Sequence, residues 1–412
     1  MKVQETCLSF VTPRPFPWRA LATVALLCYP IMGSKWFPFG GGPRYLSVLV
    51  GPISLLLLWH THCYRTVRPL LVDGVKWAVP FLPFVFGWMF AQLWHQYEPV
   101  DLTPLSTVVW CGLLFVAARI VGITRNQLAR VAGVAAFLYG CIAVFEVFVA
   151  GRYRAWGGVY ENRFGQYAIW VASLCVLHVF FDEFKSKALQ RFLLFAAAFG
   201  LIAVWLSGSR GALATLLVLF SLLLRRTISW RKLLLSTALI VMSVVAACYI
   251  SGPIYERFLL IYQEVRQYFA EPVFTATSIG IRFELARVAL LTWQEHPVLG
   301  VGYISIKQLY ESYPNLGVPD PGILAIPGFH SDWFQAIGIG GGVLLFSLFA
   351  TVLWLLFVAK RDTSLLMFVG FSIVFSFSEL FMTHSLGLGL LMSSWALYSA
   401  AERNRGEIYE TN

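Results

Sequence analysis

Residues 333–359 read WFQAIGIGGGVLLFSLFATVLWLLFVA, a run in which no side chain is charged. A helix needs about 20 mostly apolar residues to cross the hydrocarbon core of a bilayer, so this run is long enough to span it. Lys360 and Arg361 follow at once and are typical of a helix end at a membrane surface. The run therefore predicts a transmembrane helix, interrupted by the glycines at 340–342.

The rest of the chain has the same character. Of its 412 residues, 58% are hydrophobic and 13% are charged, whereas an average soluble domain is about 45–50% apolar and about 25% charged. These proportions exclude a soluble multidomain enzyme and a disordered chain. We predict an all-α polytopic membrane protein with about 12 transmembrane helices. The predicted spans are 18–34, 45–61, 76–97, 103–122, 129–150, 164–182, 190–208, 210–225, 233–251, 333–359, 363–381 and 385–401.

The basic residues predict the orientation of these spans. With the N-terminus inside, 20 of the 31 Lys and Arg residues fall in inner segments, as the positive-inside rule requires. The C-terminus then also lies inside, in the cytoplasm. We interpret the net charge of +10 as charge beside anionic lipid headgroups and not as a nucleic-acid surface. Residues 1–251 then hold spans one to nine, 252–332 form one long outer loop, and 333–412 hold spans ten to twelve and a cytoplasmic tail.

The outer loop is predicted to contain helices. A first helix is indicated by apolar residues at helical spacing, namely Phe258, Tyr262, Val265 and Phe269. A second covers about 280–295 and ends at His296-Pro297, because the residue before a proline is disfavoured in a helix. Amphipathic helices in this position lie on the membrane surface or cap a cavity.

Three arginines on the predicted outer side are candidate ligands for phosphate: Arg163, Arg210 and Arg282. Topology does not require basic residues on that side. A guanidinium binds phosphate oxygens through two parallel hydrogen bonds and keeps its proton at any physiological pH. For each of them, a contact with a lipid headgroup or an ion pair is the alternative interpretation.

His330 is the candidate catalytic base, since it lies where the outer loop re-enters the membrane. Ser331 or Asp332 can cap the helix that follows, which would bring the positive end of that helix close to the imidazole. A neutral imidazole can accept a proton from a hydroxyl group. The alternative is a histidine that only caps the helix at the membrane interface.

Metal and cofactor motifs are missing from the sequence. It contains no D-x-D, no H-E-x-x-H and no P-loop, and no outer segment has a cluster of acidic residues. We therefore expect no metal ion and no cofactor.

Four motifs resemble those of the O-antigen ligase/polymerase superfamily and its lipid-A-core:O-antigen ligases. They are a G-x-R…W…HP-x-x-G-x-G pattern from Gly280 through Trp293 to Gly302, an H-[N/S/Q]-x9-G pattern from His330 to Gly341, an S-R-G link at 209–211, and an arginine–glycine segment at 162–165. The resemblance covers roughly 150–345. One position departs from the ligase pattern, because Leu344 stands where a further glycine is usual.

This resemblance implies a GT-C-like glycosyltransferase in the inner membrane of a bacterium, active on the periplasmic face. The implied donor is a polysaccharide linked to undecaprenyl pyrophosphate, and the implied acceptor is a sugar hydroxyl of lipid A-core. By the same resemblance, His330 deprotonates the acceptor while Arg210, Arg282 and Arg163 hold the pyrophosphate, without a metal ion.

Three other activities stay open at this point. An O-antigen polymerase or a protein O-oligosaccharyltransferase would use the same carrier with a different acceptor. A polytopic transporter or flippase would carry charged residues in the middle of its spans, whereas the arginines here crowd the outer face. Of these activities, we favour the O-antigen ligase.

Overall fold

The computed structural model describes residues 52–54, 64–96, 100–158, 160–182, 186–227, 252–270, 277–313, 321–324, 326 and 328–410. Within these ranges the chain is all helical and forms no strand. Three predicted spans, 18–34, 45–61 (apart from 52–54) and 233–251, lie outside the described residues, so the count of twelve stays a prediction.

Fourteen α-helices are described, and they are numbered in chain order. They are α1 (Tyr64–Ala78), α2 (Leu82–Trp94), α3 (Thr103–Val121), α4 (Arg125–Val144), α5 (Glu161–Phe181), α6 (Lys187–Ser207), α7 (Arg210–Thr227), α8 (Gly252–Ala270), α9 (Ser278–Glu295), α10 (Ile306–Ser312), α11 (Pro321–Leu324), α12 (Asp332–Ala359), α13 (Thr363–Ser378) and α14 (Ser385–Glu410).

Six described helical segments are long and apolar enough to cross a membrane, which confirms a polytopic helical membrane protein. They are Arg68–Trp94, Thr103–Val121, Arg125–Val149, Glu161–Phe181, Lys187–Ser207 and Asp332–Ala359. Each overlaps one of the predicted spans. Two shorter apolar helices, Arg210–Leu224 and Thr363–Ser378, coincide with the predicted spans eight and eleven.

Helix α14 is enclosed by the other helices. Every residue from Gly387 to Tyr398 is buried, and Trp395 meets the ring of Phe81 edge to face with centroids 6.1 Å apart. The Nε1–H of Trp170 donates a hydrogen bond to Ser394 Oγ at 3.1 Å. A helix that faces protein and not lipid can carry serines, because neighbouring helices supply partners for their hydroxyl groups.

The two ends of the helix bundle differ in their charged contacts. At one end Arg125 pairs with Asp182, Asp362 and Glu402 and so ties α4 to α5, α13 and α14. The N-termini of α5, α7, α12 and α14 lie at the other end, together with the C-terminus of α13; we call this the site end. The alternation of spans predicts this separation of Arg125 from Arg163 and Arg210.

Helices α9, α10 and α11 and the segment before α12 share a small core of their own. It consists of Leu285, Val288, Ala289, Ile306, Leu309, Tyr310, Ile323 and Phe329. The helix predicted at about 280–295 is present as α9 and ends before His296-Pro297 as expected. Helix α8 turns a polar residue inward, because Glu264 is buried and accepts a hydrogen bond from the N–H of Ile279 at 3.3 Å. Its predicted apolar residues Tyr262 and Phe269 are exposed.

A second carboxylate links three of these helices. Glu284 on α9 accepts hydrogen bonds from Arg287 (2.5 Å), from the hydroxyl group of Tyr310 on α10 (2.6 Å) and from that of Tyr268 on α8 (3.2 Å). Burial alone would raise the pKa of Glu284, but the hydrogen bonds from Arg287 and Tyr310 outweigh it and lower that pKa. Glu284 is therefore held as an anion, and Arg287 is engaged within the loop.

Candidate active site

A buried aspartate fixes the chain between α13 and α14. Asp332, the first residue of α12, is fully buried and accepts hydrogen bonds from the backbone N–H groups of Phe381 (3.0 Å), Met382 (2.6 Å) and Thr383 (2.8 Å). The hydroxyl group of Thr383 donates a fourth at 2.5 Å. Buried N–H groups need acceptors, and this carboxylate supplies them from another helix. The segment 379–384 is thereby held against the start of α12.

The predicted capping of α12 by Ser331 or Asp332 is wrong. Ser331 is the N-cap residue, but no side chain caps the helix. The Ser331 hydroxyl group instead donates to the carbonyl oxygen of Ser376 on α13 at 2.9 Å, and Asp332 binds the segment after α13. Both side chains join α12 to α13, because buried partners on the neighbouring chain segment compete with the local cap.

His330 stands in a strained backbone conformation. Its φ is 53°, a left-handed value that is uncommon for a residue other than glycine. The neighbours on both sides are fixed, since the N–H of Phe329 donates to Gln335 Oε1 at 2.9 Å and Ser331 is bound to α13. Such strain persists where the surroundings determine the conformation, and it concentrates at functional sites.

Glu379 is the residue around which the site is assembled, and the sequence analysis missed it. Its Oε2 lies 3.6 Å from Nδ1 of His330. Its Oε1 accepts hydrogen bonds from Asn162 Nδ2 at 2.6 Å and from Arg282 Nη2 at 3.1 Å. One carboxylate thus joins the start of α5, the start of α9 and the segment before α12.

The predicted span 363–381 concealed this role by placing Glu379 inside the membrane. Helix α13 ends at Ser378, and Glu379 is its C-cap residue. A lone acidic residue near the end of an otherwise apolar run was the available signal. Burial alone would raise the pKa of Glu379, but its interactions with His330 and Arg282 outweigh that and lower the pKa. Glu379 is therefore an anion at neutral pH.

Among the described residues, the Arg163 side chain contacts a histidine and no carboxylate. Its Nη1 lies 2.7 Å from Nε2 and 3.0 Å from Nδ1 of His384, while the ring of Tyr160 lies 5.8 Å from its Cζ. Burial, with a contribution from the positive charge of Arg163, lowers the pKa of His384 to about 4. His384 is therefore neutral at neutral pH.

Arg210 is the first residue of α7 and is exposed. Its neighbours are held on both sides: Ser209 Oγ donates to the carbonyl oxygen of Asn162 at 3.3 Å, and Gly211 packs so closely on Ser378 that a Cβ would lie 2.5 Å from the Ser378 hydroxyl oxygen. Among the residues that the structure describes, Arg210 has no hydrogen-bond or ion-pair partner.

The glycine-containing ends of two motifs, 297–302 and 338–343, are joined by backbone hydrogen bonds. Helix α12 is kinked at Gly341 (φ 56°, ψ −146°), and the chain at 297–302 lies against the kink. The N–H groups of Val301 and Gly302 donate to the carbonyl oxygens of Gly338 and Ile339, each at 2.9 Å. Two further bonds run back from α12 to Pro297 (2.8 Å) and Val298 (3.1 Å). This junction holds the segment that follows α9 on α12.

We expect Gly341→Ala to destabilise the protein by about 3 kcal/mol or more. Its backbone conformation is nearly restricted to glycine, and an added Cβ would lie 2.6 Å from the backbone nitrogen of Gly300. Overpacking of this kind adds about 1–3 kcal/mol to the conformational cost. Thermal unfolding of the purified protein in detergent measures the effect.

Gly122→Ala is the matched control, because Gly122 also has a positive φ (75°) but a Cβ added there would meet no atom within 4 Å. The free energy of unfolding of this variant should fall by only about 1–2 kcal/mol, the cost of placing alanine in the left-handed conformation. If both variants lost the same amount of stability, the close packing of Gly341 against Gly300 would not explain the larger expected effect.

The site end therefore combines a candidate base with a candidate anion-binding surface. His330 and the three arginines predicted from the sequence, Arg163, Arg210 and Arg282, all surround the segment 378–384 or its direct neighbours. Of the three arginines, Arg282 alone pairs with a carboxylate within the described part of the chain. The surface keeps a positive excess that suits a phosphate or pyrophosphate group.

Comparison with known proteins agrees with the motifs. Residues 195–350 match the family model described as O-Antigen ligase. The match supports membership of the O-antigen ligase/polymerase superfamily, whose members are glycosyltransferase-like enzymes, and it confirms the resemblance read from the sequence. The matched segment contains Arg210, Arg282 and His330, whereas Arg163, Glu379 and His384 lie outside it. No curated protein matches the chain.

Proposed function

We propose, from membership of the O-antigen ligase/polymerase superfamily, that this protein transfers O-antigen polysaccharide from undecaprenyl pyrophosphate to a sugar hydroxyl of lipid A-core. The site end would face the periplasm of a bacterial inner membrane, with both termini in the cytoplasm. The observation that carries the proposal is the cluster around Glu379, in which His330 and Arg282 from distant parts of the chain meet at one carboxylate at the site end.

In the proposed reaction the acceptor hydroxyl attacks the anomeric carbon of the donor sugar. His330 takes the hydroxyl proton, the new glycosidic bond forms, and the bond between the anomeric carbon and the pyrophosphate oxygen breaks. A single displacement of this kind inverts the configuration of that carbon. Arg210, Arg282 and Arg163 stabilise the negative charge that develops on the departing pyrophosphate.

Glu379 has two functions in this mechanism. Its Oε2 faces Nδ1 of His330, so it can accept the Nδ1–H and leave Nε2 free to take the proton of the acceptor. Its Oε1 holds Arg282 in place. This 3.6 Å separation is expected to shorten when the reactants are bound.

The proposed function predicts a specific product in a reconstituted reaction. The purified protein receives undecaprenyl-pyrophosphate-linked glycan, with or without lipid A-core, and EDTA is present throughout. We expect the glycan to appear on lipid A-core in EDTA, because arginines and not a metal ion stabilise the leaving group. Gel mobility of the glycolipid measures the transfer.

Other products would contradict the ligase assignment in distinct ways. Longer carrier-linked chains without lipid A-core would identify a polymerase. Transfer that stops in EDTA and returns with added Mg²⁺ would contradict the metal-independent mechanism. No product from either reaction, with an active control enzyme alongside, would favour a protein acceptor or a transporter.

A further inference from the structure

Two of the three candidate arginines are held by other side chains, and these partners differ in charge. Arg282 is held by the carboxylate of Glu379 at 3.1 Å, so most of its charge is already offset. Arg163 is held by His384, whose Nδ1 lies 3.0 Å from Arg163 Nη1 and is the acceptor nitrogen of the neutral ring. A neutral imidazole accepts a hydrogen bond from a guanidinium without cancelling its charge.

His384 is itself fixed by hydrogen bonds within its own chain segment. Its Nδ1 accepts a hydrogen bond from the backbone N–H of Leu386 at 3.2 Å. Its carbonyl oxygen accepts another from the N–H of Leu388, in the first turn of α14. Asp332 holds the preceding residue Thr383, so the ring projects from a rigid segment and can restrict where the Arg163 guanidinium lies.

A carboxylate at position 384 would hold Arg163 equally well but would cancel its charge. With the present residue, Arg163 and Arg210 both keep a full positive charge, because neither has a carboxylate partner among the described residues. A pyrophosphate that is esterified at both ends carries two negative charges. Two uncompensated guanidinium groups match that charge.

We infer that His384 is a positioning residue, which aims the Arg163 guanidinium at the pyrophosphate of the donor while leaving its charge uncompensated. This inference rests on the proposed function, because it assigns a partner to one of its three phosphate ligands. His384 acts through Arg163 and takes no part in bond formation or proton transfer.

Charge variants at position 384 test the inference in donor kinetics. We expect His384→Glu to raise the KM for undecaprenyl-pyrophosphate-linked glycan about tenfold or more, because it neutralises Arg163, and Arg163→Ala to do the same. His384→Gln keeps a neutral acceptor and should stay within about threefold of the natural protein. kcat should also fall in His384→Glu and Arg163→Ala, because Arg163 stabilises the charge that develops on the leaving group. It should stay near the natural value in His384→Gln, whereas a general structural defect would affect all three variants.

A double-mutant cycle isolates the coupling between the two residues. The double variant Arg163→Ala with His384→Ala should have the same KM as Arg163→Ala alone, since His384 has nothing left to position. Effects that multiply would overturn the inference, as would a His384→Glu variant with an unchanged KM. Thermal unfolding of each variant identifies any that are misfolded.

Binding of inorganic pyrophosphate separates failure of this inference from failure of the proposed function. Calorimetry with the purified protein needs no acceptor and no transfer. Weaker binding in both His384→Glu and Arg163→Ala would support the inference even if no glycan is transferred. Weaker binding in Arg163→Ala alone would overturn the role of His384 and leave Arg163 as a phosphate ligand, and unchanged binding in both would overturn both roles.

Discussion

His330→Ala is expected to lower kcat for glycan transfer by about 10²–10⁴-fold, the range that a positioned general base contributes. The acceptor hydroxyl is a poor nucleophile, and no other imidazole among the described residues lies within ion-pair distance of Glu379. KM for the donor should change little, because the arginines remain in place. Initial rates at saturating donor and acceptor measure the effect.

The backbone at this position complicates a simple truncation. His330 adopts φ 53°, and alanine tolerates that conformation less well than asparagine does. His330→Asn therefore provides a second variant that lacks a base but accommodates the backbone. Both should lose kcat to a similar extent, and His330→Asn should unfold at a temperature close to that of the natural protein.

His296→Ala is the matched control for His330. His296 directly follows α9, and its Nε2 is 3.0 Å from the Tyr313 hydroxyl oxygen. Among the described contacts, none joins it to Glu379. It should retain kcat within about threefold, as expected for loss of one exposed hydrogen bond. If His330→Asn kept near-natural turnover, the assignment of the base would be wrong.

The sequence predicted the helices well because each apolar run is a local feature. A stretch such as 333–359 must be helical in a membrane, since no other structure satisfies its backbone there. Counting alternating spans then brings Arg163, Arg210 and His330 to one end of the bundle. This placement needs no knowledge of how the helices pack.

The contacts within the site were not predictable in this way. Asp332 is a reasonable helix cap by sequence, yet it binds the segment 381–383, because those buried N–H groups have no closer acceptor. Glu379 was assigned to a span because one acidic residue hardly changes the hydropathy of its neighbours. Its partners Asn162, Arg282 and His330 come from segments far apart in sequence, and only tertiary packing brings them together.

The sequence correctly predicted that the glycines at 340–342 interrupt span ten. It did not predict which part of the chain packs against this interruption. Gly341 kinks α12 so that the backbone at 297–302 can approach within hydrogen-bonding distance. Leu344, which stands where the ligase pattern usually has a further glycine, is fully buried. The close approach in this chain is made by Gly338 to Val343 and does not need a glycine at 344.

Glu379→Gln is expected to lower kcat by about a hundredfold or more, although it changes one oxygen into an NH₂ group. An amide oriented with its oxygen toward Arg282 and Asn162 points its NH₂ group at Nδ1 of His330. That group donates to Nδ1, so the neutral imidazole carries its proton on Nε2. His330 then has no free lone pair for the acceptor proton, and a base in the wrong tautomer loses most of its effect.

The two kinetic constants separate this effect from the loss of a partner for Arg282. Glu379→Gln frees the charge of Arg282 for the pyrophosphate, so KM for the donor should stay the same or fall while kcat falls. Glu284→Gln is the matched control, because Glu284 is also a glutamate that is shielded from solvent and holds an arginine, Arg287, but has no histidine beside it. It should lose stability and keep kcat. A Glu379→Gln enzyme with unchanged kcat would show that Glu379 does not set the tautomer of His330, and a raised KM with constant kcat would limit its role to Arg282.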